Sequence, residues 1–163
     1  MTVQARRLNH AVLYVRDLDA AVEFYSNALG MDVVTTVPQA NAAFLRLRAG
    51  DNHHDLGIFA RPQSQDSLDR PDRLGLYHLA WQVDTIEELA EARTFLVSAG
   101  AYTGESDHGA SKSVYAKDPS GNELELMWMV PRESWGQYES DAPVRPLDLE
   151  GEIERWSGVQ TAG

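Results

Sequence analysis

The sequence predicts an α+β fold made of two copies of one strand–helix–three-strand module. Two observations carry this expectation. The first is an internal likeness. His10-Ala-Val-Leu-Tyr-Val15 is followed by Leu18, Ala21, Val22, Tyr25, Leu29 and Gly30. His78-Leu-Ala-Trp-Gln-Val83 is followed by Ile86, Leu89, Ala90, Arg93, Leu96, Ala99 and Gly100. The two stretches begin about 70 residues apart, which marks an internal repeat. The second observation is the change of period inside each copy. A short apolar strand led by His ends near an acid (Asp17, Asp84), and apolar residues then recur three and four apart, as on one face of a helix. Gly30 and Gly100 follow as left-handed helix caps.

Three strands complete each copy. In the first they are Asp32 to Val37, the alternating run Ala43 to Arg48, and His54 to Phe59 after the turn Ala49-Gly50-Asp51-Asn52. In the second they are Ala101 to Glu105, Ser113 to Ala116, and Glu123 to Met129. The last is introduced by Asp118-Pro-Ser-Gly-Asn122, where Pro presets φ and Gly permits positive φ. Residues 1–131 are therefore expected to form one domain, with modules at about 8–60 and 76–130. The polar stretch Arg61 to Leu74, with two prolines, reads as the connecting loop. Residues 132–163 read as an extension that packs on the body or on a partner. A short helix is expected near Leu149 to Trp156, and disorder over Gly158 to Gly163. Trp135 and Trp156 are candidates for closing a cleft or sealing a dimer contact.

Composition narrows the function classes. A chain of 163 residues can bury a real core, and 43% hydrophobic with 24% charged residues is ordinary for a soluble domain. The net charge of −11 opposes binding to nucleic acid or to an anionic membrane surface. No apolar run reaches the length of a membrane span, and none follows the first residues as a signal peptide would require. Without cysteine there are no disulfides and no thiolate ligands. A cytoplasmic location is the resulting expectation.

The chemistry concentrates on three residues. A single His in an apolar strand is more often a hydrogen-bonded core residue than a ligand. His10 and His78, however, occupy the same place in the two repeats. In Glu123-Leu-Glu-Leu-Met-Trp-Met129, alternation puts Glu123, Glu125 and Met127 on one face and Leu124, Leu126 and Trp128 on the other. A carboxylate in so apolar a strand is costly unless paired or bound to a cation. Two imidazoles and one carboxylate suit Fe(II) with open positions; Zn, Mn, Co or Ni also fit.

This pattern resembles the vicinal oxygen chelate superfamily, which includes glyoxalase I, bleomycin-resistance proteins and type I extradiol ring-cleaving dioxygenases. The resemblance covers roughly Leu8 to Pro131. It implies paired βαβββ modules whose curved, open sheets form a cleft around a metal (the glyoxalase/bleomycin resistance/dihydroxybiphenyl dioxygenase fold). It also implies a metal held by His10, His78 and Glu125, and often a homodimer, with modules paired within or across chains. Glyoxalase I adds a Glu from the last strand of the first repeat, where this chain offers only Asp55. Fosfomycin-modifying members use a basic cluster that has no counterpart here.

The extradiol dioxygenases match at further places. They carry a His-His pair before the second metal His, matched by His53-His54, and a later His before a Tyr that precedes the metal Glu by ten residues, matched by His108 and Tyr115. The loop from His54 to His78 is longer than in that branch, the gap from His108 to Tyr115 is shorter, and the upstream non-catalytic half is missing. Singly, each of these residues is more often structural. Jointly they point to an Fe(II)-dependent dioxygenase that opens a catechol-type aromatic ring beside the diol with O2. In that reading His54, rather than His53, moves protons at the oxygen, and His108 and Tyr115 bond the substrate oxygens. The rival expectations are a glyoxalase I-like or epimerase-type metal-dependent isomerase, and a non-catalytic drug-binding or carrier protein, since one scaffold hosts many functions.

Overall fold

The structure is a computed structural model that describes residues 7–62 and 75–162. The chain divides into two compact units, Met1–Asp69 and Arg70–Gly163. Most of the expected connecting loop, 63–74, lies outside the described residues.

The first unit runs β1 (Ala11–Val15), α1 (Leu18–Ala28), β2 (Met31–Val37), a 3-10 turn (Pro38–Ala40), β3 (Ala42–Leu47) and β4 (Leu56–Ala60). Its sheet order is β1-β4-β3-β2. β1 pairs parallel with β4, and the other pairs are antiparallel. The second unit repeats the plan with β5 (His78–Gln82), α2 (Ile86–Ser98), β6 (Tyr102–Asp107), β7 (Ser111–Lys117) and β8 (Glu123–Met129), in the order β5-β8-β7-β6. β5 is parallel to β8. Each four-stranded sheet is mixed and each module carries its own helix, so the α+β class and the duplicated module stand as read from the sequence.

Local chemistry sets the helix ends. The Asp17 carboxylate accepts from the Ala20 N–H and starts α1. Thr85 and Glu88 start α2 with a reciprocal capping box. Gly30 and Gly100 follow the two helices at φ 61° and 67°, a region where a Cβ is strained. Ala21, Phe24 and Tyr25 bury the inner face of α1, and Ile86, Leu89 and Leu96 that of α2. Against α2, β8 presents Leu124, Leu126 and Trp128, all nearly fully buried, as the alternation predicts.

After β8 come two 3-10 turns (Arg132–Ser134 and Gly136–Glu139) and α3 (Leu149–Trp156), where the sequence places a helix. The Trp156 ring lies 5.8 Å from that of Trp128, and the Trp135 indole N–H donates to the Val130 carbonyl. Both tryptophans are thus used inside the second unit. Lys112, only 4% exposed, joins Asp107 at 2.6 Å and Glu152 of α3 at 3.0 Å.

The disorder expected over Gly158 to Gly163 is corrected by the structure for 158–162; Gly163 lies outside the described residues. The Gly158 N–H donates to Glu87, and the Thr161 and Ala162 N–H groups both donate to the Asp84 carboxylate at 2.9 Å. A small, polar composition read as unstructured because its partners are distant in sequence. The strand expected from His54 begins instead at Leu56. Asp55 accepts from the Leu47 N–H at 2.8 Å and from Asn52, so 52–55 folds as a side-chain-held turn. Among the described residues no helix is long and apolar enough to cross a membrane.

Candidate metal and catalytic site

In the second unit the expected residues converge on one face of the sheet. In the β5–β8 and β7–β8 registers, Ala80 and Tyr115 both stand opposite Glu125, and His78 stands opposite Glu123. Partners across a ladder share a face, so His78, Glu125 and Tyr115 project together, away from the Leu124–Leu126–Trp128 side. His78 Nε2 lies 3.0 Å from Glu125 Oε2. The rings of His78 and Tyr115 are 6.0 Å apart. The Tyr115 hydroxyl is 2.7 Å from His108 Nε2, and His108 Nδ1 is 2.8 Å from the Pro143 carbonyl. A continuous polar chain therefore runs from the pair His78–Glu125, past Tyr115, to His108.

Burial shapes its electrostatics. Glu125 is only 8% exposed. Burial, and then the Glu125 charge, push the Tyr115 phenol above its ordinary pKa, while the neighbouring Ser113 and Ser106 hydroxyls pull the other way. Both forces that dominate keep the proton on Tyr115.

The remaining expected residues lie in the first unit. His10 precedes β1, its Nδ1 2.9 Å from Asn9 Oδ1. The His54 ring stands 4.6 Å from that of His10 and 5.1 Å from Phe44. His53 Nδ1 is 3.0 Å from His54 Nδ1. Of the His-His pair, His54 is thus the one beside His10. Burial, then the His10 and His53 imidazoles, lower its pKa, against a smaller opposing effect of Asp55. Asp55, the acid that a glyoxalase-type fourth ligand would require, is held by the Leu47 N–H and Asn52.

A family model described as the Glyoxalase/Bleomycin resistance protein/Dioxygenase superfamily matches residues 7–126. The chain belongs to this superfamily. Over 153 residues it is 30% identical to the catechol-2,3-dioxygenase of Bacillus subtilis (strain 168), covering 90% of this chain and 51% of that protein. Over 138 residues it is 32% identical to biphenyl-2,3-diol 1,2-dioxygenase 3 of Rhodococcus globerulus, covering 82% of this chain and 70% of the relative. The chain thus spans about half the length of the Bacillus relative. A solved glyoxylase/bleomycin resistance protein/dioxygenase domain from Frankia sp. EAN1pec superposes with a TM-score of 0.67 at 22% identity, covering 79% of this chain and 96% of that one. That likeness shows the superfamily fold.

The second unit's donors fit the divalent metal that the superfamily's chemistry implies. Two donors in adjacent positions, each about 2.1 Å from one ion, stand roughly 3 Å apart, and His78 Nε2 and Glu125 Oε2 are separated by 3.0 Å. The buried His78 Nδ1 has no hydrogen-bond partner among the described residues. Among those residues, no group of three or more His, Cys, Asp or Glu side chains is gathered closely enough to hold a metal ion. What stands assembled is the His78–Glu125 pair, with His10 among its own neighbours in the first unit. Three contributors are not singled out by the sequence: Ser113, Ser106 and the Pro143 carbonyl. Ser113 shares a strand face with Tyr115 and was accessible to period-two reasoning. The Pro143 carbonyl is a backbone group and leaves no signal in the sequence.

Proposed function

We propose that this chain is an Fe(II)-dependent extradiol dioxygenase that opens a catechol-type aromatic diol with O2. The observation that carries the reading is the contact chain of the second unit, in which a His–Glu pair of ligand type leads to a tyrosine hydroxyl and then to a second imidazole. The names of the relatives from Bacillus subtilis and Rhodococcus globerulus support the same reading.

Fe(II) would be held by His78 and Glu125 together with His10, and would supply a centre that chelates both diol oxygens, lowers their pKa and passes electrons from diol to dioxygen. Mn, Zn, Ni or Co suit the same donors less specifically. Tyr115 would accept a proton or hydrogen bond from a substrate oxygen, with His108 behind it as the next acceptor. His54, a titratable imidazole with a lowered pKa beside His10, would hold and move a proton at the attacking oxygen. The acidic, cysteine-free composition supports a cytoplasmic setting, and the superfamily resemblance supports a homodimer.

The test is anaerobic loading with Fe(II), followed by oxygen uptake and visible absorbance against a panel of catechols. Uptake matched by a coloured ring-opened product is expected. Iron bound at one per chain with no uptake on any catechol overturns the reading. Tyr115→Phe should bind iron normally and turn over slowly; unchanged turnover removes Tyr115 from the chemistry.

A further inference from the structure

The loop that carries His108 is gripped by the segment that follows the superfamily match. The Asp107 N–H donates to the Arg145 carbonyl at 2.8 Å, and the Arg145 N–H returns the bond at 3.0 Å. The pair makes an isolated antiparallel bridge at the end of β6. Arg145 Nη2 also lies 3.7 Å from the Asp107 carboxylate. Two residues on, Tyr138 lies flat against Gly109. A Cβ on Gly109 would stand 2.5 Å from the Tyr138 ring, and φ there is +78°. The Arg145 guanidinium donates to the Tyr138 hydroxyl at 2.9 Å, which ties both contacts together. Asp107, His108 and Gly109 are thus each touched by residues 138–145.

The contact at His108 sets hydrogen direction as well as position. The Pro143 carbonyl can only accept, so His108 Nδ1, 2.8 Å away, must carry a proton. In the neutral ring Nε2 is then bare and must accept. Its partner at 2.7 Å is the Tyr115 hydroxyl, which must donate. With its proton given to His108, the Tyr115 oxygen is left as an acceptor, toward a substrate hydroxyl as toward the neighbouring Ser113 and Ser106 hydroxyls.

We propose that residues 138–145 serve the second unit's site, and that the Pro143 carbonyl fixes His108 as the Nδ1–H tautomer so that its Nε2 accepts the Tyr115 proton. Pro143 is a positioning residue, acting through His108. The catalytic consequence rests on the dioxygenase reading above. In it, a substrate O–H bond breaks to Tyr115 as the Tyr115 O–H breaks to His108 Nε2. Tyrosine ends neutral, the substrate oxygen anionic and His108 an imidazolium donating at both nitrogens.

The test replaces Val144 by its α-hydroxy analogue in the full chain. The Pro143–Val144 amide becomes an ester, whose carbonyl is a weaker acceptor. Nitrogen-15 NMR of imidazole-labelled, metal-free protein at neutral pH, assigned with His108→Gln, reads the tautomer directly. A protonated Nδ1 and bare Nε2 are expected in the native chain, with an Nε2–H population emerging in the ester. Pro143→Ala retains the carbonyl and should retain the native tautomer. With Fe(II) and a catechol, the ester should lower kcat about tenfold with KM unchanged. An Nε2–H ring or an imidazolium in the native chain, or an ester with the native tautomer and native kcat, overturns the proposal. Because the NMR needs neither metal nor substrate, the native tautomer together with no oxygen uptake would sink the dioxygenase reading alone.

Discussion

The two units place different side chains on one backbone plan. Ala11 pairs with Leu56 as Leu79 pairs with Leu124, so with His10 set against His78, Gly57 stands where Glu125 stands. Phe44 pairs with Gly57 as Tyr115 pairs with Glu125. The first unit therefore has no side chain at the carboxylate position and a phenyl at the phenol position. His54 packs edge-on against that phenyl. The same count along the last strand sets Ala60 against Trp128, and the second unit alone has α3 to bury that larger ring. The difference teaches that the scaffold supplies a histidine-led edge strand twice. The His78–Glu125–Tyr115 cluster depends on two side chains that one copy carries and the other lacks.

Four substitutions would break or sharpen this comparison. Trp128→Ala should cost about 3–5 kcal/mol, since it empties a fully buried site against Trp156. Urea unfolding checks it, and a loss below about 1 kcal/mol would mean that α3 does not hold the second unit together.

Lys112→Met comes next, at about 3 kcal/mol, because it strands the Asp107 and Glu152 carboxylates beside a buried position. Burial raises the Asp107 pKa, but the Lys112 hydrogen bond, the Gly109 N–H and the charges of Lys112 and Arg145 outweigh it and leave the pKa lowered. A lowered carboxylate contributes stability that is whole above its unfolded pKa and vanishes as pH falls through the folded one. The native protein should thus weaken below about pH 4, and Lys112→Met should weaken less over that range. Urea titrations at a series of pH values would show parallel curves if the ion pair were idle.

Glu125→Gln should weaken Fe(II) or Co(II) binding at least about 100-fold, or ~2.8 kcal/mol, with the metal-free melting temperature little changed. Metal titration with native affinity would show that the Gly57–Glu125 difference is not about metal. The smallest effect belongs to Gly57→Ala, where a Cβ would meet Phe44 at 3.3 Å and Val12 at 3.4 Å. Val12 is exposed and can yield, and a strand Ala gains over Gly, so the net change should stay within about 1 kcal/mol. A cost above about 2 kcal/mol in thermal unfolding would show Phe44 to be fixed in place.

Much of this was legible because it is local. The helix ends at Gly30 and Gly100, the β8 alternation and the helix Leu149–Trp156 follow from residues within a few positions of one another. His78 and Glu125 were legible through repetition and the cost of burying a carboxylate, and they do meet. What escaped is contact at long range through the backbone. The Pro143 carbonyl reaches His108 across 35 residues, and the end of the chain reaches Asp84 across more than 70. No hydropathy period announces either. His54 fell outside its expected strand because Asp55 spends its carboxylate on the Leu47 N–H, a choice of partner that alternation does not encode.

Asp84 gathers more than its own turn. Its carboxylate takes the Thr161 and Ala162 N–H groups and the Gln160 side chain, and its carbonyl takes the indole N–H of Trp128. One residue thereby links the turn after β5, the core of β8 and residues 160–162. Such a knot makes opening cooperative. In a hydrogen-exchange experiment the amides of Thr161 and Ala162 should be protected with those of β8 and should lose protection together with them in Asp84→Ala. A stretch that looks like loose end in the sequence would then report, amide by amide, on the integrity of the strand that carries Glu125.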